Sequence, residues 1–266
     1  MASQLEPKDL VTRRPLAGDH PNLDESRIFQ ASHPVTMEQS RARPDRRNTA
    51  AIIPAYNESK HLPDVVRRTR LELDHVVVID DGSTDGTAAV TREAGSEVIV
   101  HPENRGKGES IKTGLRYWTT RGFEWVVILD ADGQHRPEEI QRLLNAAGNA
   151  DAALFIGNRM NDVSSMPMVR RLVNRYMSNK ISGACGQQIP DTQCGFRMLH
   201  RDLIPAVLGG TNRFDYETEM LILASRQGFK VVSVPISTVY SDEVSSIHPV
   251  RDTIRFFKLM NRYRRV

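Results

Sequence analysis

From Thr49 onward, short runs of apolar residues alternate with longer stretches in which apolar residues recur every three or four positions. The short runs are typical of strands buried on both faces, and the longer stretches are typical of amphipathic helices. This alternation predicts βαβ units, and therefore an α/β fold with a mostly parallel sheet flanked by helices. The predicted strands are TAAIIPA, HVVVID, EVIV, WVVILD and AALFIG, and the predicted helices end at Leu71, begin at Thr87, run from Lys107 to Arg121 and begin at Pro137.

The second half of the chain is less regular but continues the same domain. Helices are predicted over 170–182 and 216–226, with the segment DTQCGFRML between them and two short strands flanking Pro235. The first 48 residues contain five prolines, mixed charge and little periodicity, and such a segment cannot easily bury a core. We therefore predict a disordered leader over 1–48, a single α/β domain over 49–243 and a C-terminal helix over 244–266.

Composition excludes several classes of protein. With 39% hydrophobic and 26% charged residues the chain suits a globular protein, and its net charge of +3 is far below that of a dedicated nucleic-acid binder. Cys185 and Cys194 lack the spacing of a metal or redox pair, and every apolar run is far shorter than the roughly 18 to 20 residues of a membrane span. We expect a cytoplasmic protein that binds no nucleic acid.

Three polar clusters follow successive predicted strands. Glu58 ends IIPAYNE, Asp80 and Asp81 lie in VIDDGSTDGT, and Asp130 and Asp132 lie in ILDADGQ. Because right-handed crossovers bring the carboxyl ends of parallel strands to one edge of the sheet, the clusters should converge there. Carboxylates gathered on one edge repel each other unless they share a metal ion and the donor groups of a nucleotide. The pattern predicts a site for a divalent cation and a nucleotide.

Two segments suit a diphosphate. In DAD the side chains of Asp130 and Asp132 point the same way along an extended backbone, with the small Ala131 between them, and a cation that bridges to a diphosphate fits there. In NRGKG the glycines let backbone N–H groups approach an anion at a helix start, beside Arg105 and Lys107. A dinucleotide fingerprint and a complete P-loop are both missing from the sequence, which excludes a dehydrogenase of that type and a P-loop NTPase.

The motifs IIPAYNE, VIDDGSTDGT, NRGKGESIKTGL, LDADGQHRPEEI, GNR and DTQCGFRML follow one another in this order between positions 48 and 239. Together they resemble those of family 2 inverting glycosyltransferases of the GT-A fold, and most closely the dolichyl-phosphate and polyprenyl-phosphate sugar synthases. One motif alone would be weak evidence, whereas the ordered set is specific. The resemblance implies transfer of a sugar from a GDP- or UDP-sugar to a polyprenyl or dolichyl phosphate, with Mg²⁺ or Mn²⁺ as the cofactor.

The resemblance also implies roles for individual residues. It implies a nucleoside pocket lined by Pro54, Tyr56 and Glu58, with Ile79 and Asp81 contacting base and ribose and Asp80 beside them. It places Asp130, Ala131, Asp132 and Gln134 around the metal and the sugar diphosphate, with Asp130, Asp132 and Gln134 as metal ligands, and it gives Lys107 and Arg159 to the phosphates.

One segment departs from the pattern of the resembling family. Its members usually carry an arginine and then a Ser-Lys pair for the acceptor phosphate, where this chain has Tyr240 and Ser246. His248, Arg251, Lys107 or Arg197 would have to take their place.

Several polar residues have simpler structural interpretations. Asp85 and Thr87 suit a turn and a helix N-cap, and Pro137 with the two glutamates after it suits the first turn of a helix. His135 is ambiguous and favours a structural role. The two cysteines are interpreted as small packing residues.

The need for a general base depends on the acceptor. A hydroxyl must lose a proton during attack, whereas a phosphate monoester, with a second pKa near ~6, is already largely ionised at neutral pH. Transfer to a hydroxyl of a soluble acceptor or glycan is therefore the alternative, with Glu219, Asp191 or Asp215 as base, although Glu219 equally suits a solvated helix position. A non-catalytic nucleotide-sugar-binding protein is a further alternative, which the intact DAD, Gln134 and GNR disfavour.

The C-terminal segment is strongly basic. From Val244 to Val266 six Lys/Arg stand against one acid, a net charge of +5. Its apolar residues Val250, Ile254, Phe256, Phe257, Leu259 and Met260 form a stripe at helical spacing. An apolar stripe flanked by cations is typical of a helix on an anionic membrane surface, and the alternative is a stripe that packs on the domain. We expect peripheral contact with the cytoplasmic face of a membrane.

Overall fold

The buried apolar runs form one seven-stranded sheet in the computed structural model, which describes residues 41–160, 166, 168–212, 215–237 and 249–263. The strands are β1 (Thr49–Ala55), β2 (His75–Asp80), β3 (Glu97–Val100), β4 (Trp125–Ile128), β5 (Leu154–Asn158), β6 (Arg197–His200) and β7 (Val231–Pro235). Their order across the sheet is β3-β2-β1-β4-β6-β5-β7. Among the strand pairs of the described residues, β6 is antiparallel to both its neighbours and the others are parallel. The predicted α/β fold is confirmed.

The helices follow the predicted alternation closely. They are α1 (Leu62–Glu72), α2 (Thr87–Glu93), α3 (Lys107–Thr119), α4 (Ile140–Asn149), α5 (Met168–Cys185), α6 (Ile204–Val207), α7 (Asp215–Arg226) and α8 (Pro249–Tyr263), with 3₁₀ turns at Pro137–Glu139 and Arg201–Leu203.

A few predicted boundaries need correction. β4 ends at Ile128 rather than at Asp130, so that the two acids after it stand outside the sheet, and α4 is preceded by a 3₁₀ turn at Pro137. The strand predicted before Pro235 is β7, whereas the one predicted after it falls mostly outside the described residues.

The pairing of the central strands explains why the polar clusters lie close together. Every residue of β1 is buried, as is every residue of β4, which is the burial pattern of strands covered on both faces. β1 pairs in parallel with β2 on one side and with β4 on the other. The carboxyl ends of these three strands therefore lie next to one another.

Helix α3 packs tightly on β1. A Cβ atom on Gly114 would lie 2.6 Å from the Ile52 side chain, so that only glycine allows this close approach. The indole Nε1 of Trp118 donates to the Ala51 carbonyl over 3.0 Å, within the buried core. This packing fixes the helix on the sheet and holds its first residue, Lys107, at the edge where the strands end.

Arg197, at the start of β6, is fully buried. Its guanidinium donates to the backbone carbonyls of Thr192, Cys194 and Glu217, and so ties the segment before β6 to helix α7. The interpretation of Arg197 as a contact for the acceptor phosphate is therefore wrong for this structure, because no part of its side chain is accessible.

The N-terminal limit of the fold lies before the predicted boundary at residue 48. The chain divides at Arg41, and a compact unit extends from Ala42 to Val266. The Ala42 carbonyl accepts a hydrogen bond of 3.0 Å from the indole of buried Trp125, and Arg46 forms a salt bridge of 2.6 Å with Asp74. Residues 1–40 lie outside the described residues, and their disorder stays a prediction.

The C-terminal helix α8 packs partly on the domain. Phe256 and Leu259 are buried and Met260 is partly buried, whereas Phe257 is exposed. Tyr263 Oη donates to a buried carboxylate of α7, that of Glu219, over 2.6 Å. Part of the predicted apolar stripe therefore faces the protein. The side chains of Val250 and Ile254 and residues 244–248 and 264–266 fall outside the described part.

Candidate active site

The loops after β1 and β2 hold each other together. The backbone N–H of Asn57, a residue in the left-handed conformation (φ 56°), donates to Ser83 Oγ, and its side-chain oxygen accepts from Thr84 N, each over 2.9 Å. The backbone N–H of Glu58 donates to Thr87 Oγ1 over 3.0 Å. Two of the predicted polar clusters are thereby joined at one edge of the sheet.

Asp81 organises the start of α3. Its carboxylate accepts hydrogen bonds from Arg105 N and Gly106 N, over 3.0 and 2.7 Å, and contacts His101 Nδ1 at 2.7 Å. Because both of its oxygens are held, Asp81 fixes the glycine-rich loop that leads into Lys107. Its predicted contact with base and ribose stays a prediction.

The other residues predicted for the nucleoside differ in accessibility. The Tyr56 ring is 48% exposed and Glu58 is half-buried, so both present side-chain surface at the edge. Pro54, Ile79 and Asp80 are buried, Ile79 completely, and Asp80 accepts a hydrogen bond from the loop after β2. A ligand at this edge therefore meets the side chain of Tyr56 or Glu58 before that of Ile79.

The acidic turn after β4 carries an internal cation. Lys107 Nζ lies 2.6 Å from Asp130 Oδ1 and 2.9 Å from Glu217 Oε2. Burial works against the ionised form of Asp130, but the nearby ammonium lowers the pKa of that carboxyl to about 2. Burial likewise opposes the charged form of Lys107, and the two carboxylates raise its pKa. Lys107 and Asp130 are therefore both charged at neutral pH.

Asp132 is in a different electrostatic environment. Burial and then the charge of Asp130 raise the pKa of the Asp132 carboxyl. Its Oδ1 accepts a hydrogen bond from Gln134 N over 2.9 Å, which closes the turn. The ammonium beside Asp130 does not offset the effects of burial and of the Asp130 charge on Asp132.

This donor set fits a divalent cation of the Mg²⁺ or Mn²⁺ type. Asp130, Asp132 and Gln134 offer oxygen atoms from one short turn, and hard cations prefer oxygen ligands. Within the described residues no cluster of three or more His, Cys, Asp or Glu side chains has metal-binding geometry. A cation at this turn would therefore take its remaining ligands from water or from the phosphates of a bound substrate.

His135 and Gly195 shape the position of Asp130. The backbone N–H of Asp130 donates to His135 Nδ1 over 3.2 Å, and the imidazole stacks on Phe196 with ring centroids 5.3 Å apart. Burial lowers the pKa of His135, consistent with a neutral ring that accepts this bond. A Cβ atom on Gly195 would lie 2.5 Å from Asp130 Oδ2. The structural role of His135 is confirmed, and Gly195 is a residue that sequence reasoning missed.

Arg159 forms a buried pair with Asp191. Its Nε and backbone N–H donate to Asp191 Oδ2 over 2.7 and 3.1 Å, and one terminal nitrogen donates to Oδ1 over 3.0 Å. This fork gives the guanidinium a fixed orientation and occupies both carboxylate oxygens. The predicted roles of Arg159 at the phosphates and of Asp191 as a base stay predictions.

Glu219 and Glu217 lie on α7 and make separate contacts. Buried Glu219 accepts from the backbone of Thr211 and, over 2.6 Å, from Tyr263 Oη of α8, so its predicted role as base stays a prediction. Glu217 contacts Lys107 instead. Two residues along a helix correspond to a rotation of about 200°, so the pattern DYETEML carried a signal that these two acids face apart.

Among the remaining polar residues, Asp85 has the turn role predicted for it, whereas the N-cap of α2 is Gly86 and Thr87 is the first residue of that helix. Asp85 accepts from Thr87 N and Ser59 N, each over 3.0 Å, which makes it the turn that joins two loops. Glu138 pairs with Arg68 at 2.7 Å. Both cysteines are free thiols, and burial raises the pKa of Cys194 to about 12.

Comparison of the sequence with known proteins identifies its family. The family model described as glycosyl transferase family 2 matches residues 50–208. The polyprenol monophosphomannose synthase of Mycolicibacterium smegmatis is 32% identical over 209 residues, with 73% of this chain and 78% of that protein covered. The undecaprenyl-phosphate mannosyltransferase of Micrococcus luteus is 33% identical over 202 residues, with 71% and 82% covered.

Solved structures with the same fold include the glucosyl-3-phosphoglycerate synthase of Mycobacterium tuberculosis in complex with Mg²⁺ and uridine diphosphate. It superposes with a TM-score of 0.62 at 17% identity and covers 82% of this chain and 79% of that chain. At this level of identity the similarity concerns the fold.

Proposed function

The chain belongs to glycosyltransferase family 2, and on that premise we propose that it transfers one sugar, with inversion, from a nucleotide-sugar donor to polyprenyl phosphate. The observation that carries the donor half of this proposal is the turn Asp130–Asp132 beside Lys107, at the edge where β1, β2 and β4 end. The names of the two mannosyl-transferring relatives support the acceptor half.

The donor would lie along this edge. Tyr56 and Glu58 present accessible surface to the nucleoside, and Asp130, Asp132 and Gln134 would hold Mg²⁺ or Mn²⁺. When bound, the cation supplies positive charge where the departing diphosphate becomes negative. Lys107 would add a second positive charge from the start of α3, at the helix end that favours anions.

The acceptor chemistry is simpler if no base is required. A phosphate monoester is largely ionised at neutral pH, with a second pKa near ~6, and attacks without losing a proton. The carboxylates of Glu219 and Asp191 already accept hydrogen bonds from Tyr263 and Arg159, which favours phosphate over hydroxyl as the attacking group. If the protein transferred sugar to a hydroxyl of a soluble acceptor, that reaction would replace this proposal.

One exposed surface suits a lipid acceptor. Five large apolar side chains are exposed on the first turns of α5: Met168, Val169, Leu172, Val173 and Tyr176. The same helix carries four Lys/Arg and no acid, and it packs beside α8, whose Phe257 is also exposed. Apolar side chains among cations favour an anionic membrane surface. Among the helices of the described residues, none has the length and apolar character of a membrane span.

The test is a transfer assay with labelled donors. A panel of UDP- and GDP-sugars is incubated with polyprenyl phosphate and Mg²⁺ or Mn²⁺, and the label is followed into the organic phase. We expect label in the organic phase for one donor, and none with Asp132→Asn. Label that stays in the aqueous phase as a glycan would establish the soluble acceptor, and donor binding without any product would indicate a binding protein.

A further inference from the structure

Lys107, Asp130 and Glu217 come together from three elements. Lys107 is the first residue of α3, Asp130 follows β4, and Glu217 lies in the first turn of α7. The Lys107 ammonium sits between the two carboxylates, at 2.6 and 2.9 Å. The three side chains are 16%, 24% and 14% exposed, so water screens their interaction only in part.

The charges around the turn sum to a net charge that a divalent cation would neutralise. Asp130, Asp132 and Glu217 supply three negative charges and Lys107 one positive charge, which leaves a net charge of −2. Glu217 Oε1 is buried and accepts no hydrogen bond from the described residues. A buried carboxylate oxygen without a donor is uncommon, and it gives Glu217 spare capacity to accept from a group that moves toward it.

A cation bound to Asp130 competes with the ammonium. A metal ligand oxygen lies about 2.0–2.1 Å from Mg²⁺, so the same oxygen cannot keep a lysine nitrogen at 2.6 Å without strong repulsion between the two cations. The lysine side chain is flexible, and its charge is stabilised only where a carboxylate remains close. Glu217 is the carboxylate that remains.

We propose that Lys107 is an exchangeable counter-ion of the turn Asp130–Gln134. Glu217 is the positioning residue that retains the Lys107 ammonium when Asp130 binds the metal. Lys107 neutralises Asp130 in the metal-free protein and pairs with Glu217 in the metal-bound protein, next to the diphosphate. This proposal rests on the metal use stated under the proposed function, and it adds a role for Glu217 that sequence patterns do not indicate.

The test is a double-mutant cycle that measures the binding of Mn²⁺ alone, without nucleotide or acceptor. Binding is measured by the loss of the free Mn²⁺ signal in electron paramagnetic resonance. We expect Lys107→Met to tighten Mn²⁺ binding, because the competing cation is removed. Glu217→Gln should weaken binding by about 3-fold or more, because the displaced ammonium has no second partner. In the Lys107→Met background, Glu217→Gln should change the logarithm of the Mn²⁺ dissociation constant by less than half as much as it does in the wild-type protein.

Controls separate this inference from the proposed function. Glu138→Gln removes a carboxylate that pairs with Arg68 of α1 rather than with Lys107 and should leave Mn²⁺ binding unchanged. Thermal unfolding monitors the fold of each variant, and Lys107→Gln replaces Lys107→Met where the latter unfolds. Equal effects of Glu217→Gln in both backgrounds, or weaker binding in Lys107→Met, would overturn the exchange. A wild-type protein that binds no Mn²⁺ would instead overturn the metal use itself.

Discussion

At the scale of single residues, the site holds more negative charge than its own cation neutralises. The Lys107 ammonium lowers the pKa of Asp130 to about 2, whereas burial and the charge of Asp130 raise the pKa of Asp132. The two acids of one turn are therefore unequal, since the ionised form of Asp130 is favoured and that of Asp132 is disfavoured. Binding sites commonly carry such a cost in stability.

Asp132→Asn should abolish sugar transfer and Mn²⁺ binding while it stabilises the metal-free protein. A carboxyl whose folded pKa lies above its unfolded value destabilises the fold when ionised, and this cost grows as the pH rises through the folded pKa. Replacing it should therefore raise the unfolding temperature measured at pH 7 in the presence of chelator.

The stabilisation should depend on pH in a defined direction. The difference in unfolding temperature should shrink as the pH falls and disappear below the ordinary aspartate pKa of about 3.9, where the carboxyl is protonated in both the folded and the unfolded state. The control is Asp74→Asn, which removes an exposed acid paired with Arg46 and should bring no gain. A lower unfolding temperature for Asp132→Asn in chelator would mean that the carboxylate supports the fold. Transfer activity above a few per cent of wild type would contradict the metal assignment.

Gly195→Ala should weaken the binding of Mn²⁺ at Asp130 without unfolding the protein. The new methyl group would lie 2.5 and 2.9 Å from the two carboxylate oxygens of Asp130 and would push this flexible group aside. We expect Mn²⁺ affinity to fall about 10-fold or more, as for other residues that orient metal ligands. Gly183→Ala in α5, where no atom lies within 4 Å, is the matched control. Unchanged Mn²⁺ affinity in Gly195→Ala would show that Asp130 is not a ligand.

At the scale of elements, α8 serves as part of the fold as well as a basic surface. Tyr263 donates to Glu219, Arg262 Nη1 lies 3.3 Å from the same carboxylate, and the Arg226 guanidinium stacks on the Tyr263 ring at 4.6 Å. Glu219 also accepts from Thr211 N, in the loop before α7. These contacts join α8 to the helix that carries Glu217, so changes to Arg262 would alter packing as well as charge.

Vesicle binding should depend on α5 and on the arginines that follow α8 in the sequence. We expect salt-sensitive binding to anionic vesicles that falls about 10-fold or more when Leu172 and Val173 are both changed to Ser, because two exposed apolar side chains are lost. Changing Arg264 and Arg265 to Ala should weaken binding and reduce its salt dependence, at about 1 kcal/mol for each arginine. Binding is measured by co-sedimentation at several salt concentrations.

The control for α5 is Leu71→Ser on α1, which removes one leucine that is 73% exposed, on a helix whose three arginines are accompanied by two acids. It should leave vesicle binding unchanged. All these variants should keep transfer to short water-soluble polyprenyl phosphates. Failure of the wild-type protein to bind anionic vesicles at low salt would contradict the membrane contact.

At the scale of the whole molecule, the folded unit begins at Ala42. Removal of residues 1–41 should leave the unfolding temperature and the transfer activity close to those of the full chain. Removal of residues 1–44 also deletes the Ala42 carbonyl that accepts from buried Trp125 Nε1. An indole N–H left buried without an acceptor costs about 1–3 kcal/mol, so this shorter protein should unfold several degrees lower, as measured by differential scanning fluorimetry. Equal unfolding temperatures would contradict the role of Ala42.

Much of the framework followed from local pattern. The strands TAAIIPA, HVVVID and EVIV and the helix starts at Thr87 and Lys107 lie where the sequence predicts them. Burial on both faces and right-handed crossovers then bring the carboxyl ends of β1, β2 and β4 together, and with them the predicted polar clusters. Periodicity and turn residues are local properties, so one sequence is enough to reveal them.

The partner of each charge was decided by the tertiary structure alone. The antiparallel β6 brings Gly195 against Asp130 and buries Arg197, the α7 helix brings Glu217 to Lys107, and Asp191 occupies the guanidinium of Arg159. These residues are far apart along the chain, and their distances depend on how whole elements pack. A pattern of residue types therefore predicts which charges gather at the edge, but only the packing of β6, α3 and α7 fixes which carboxylate each cation meets.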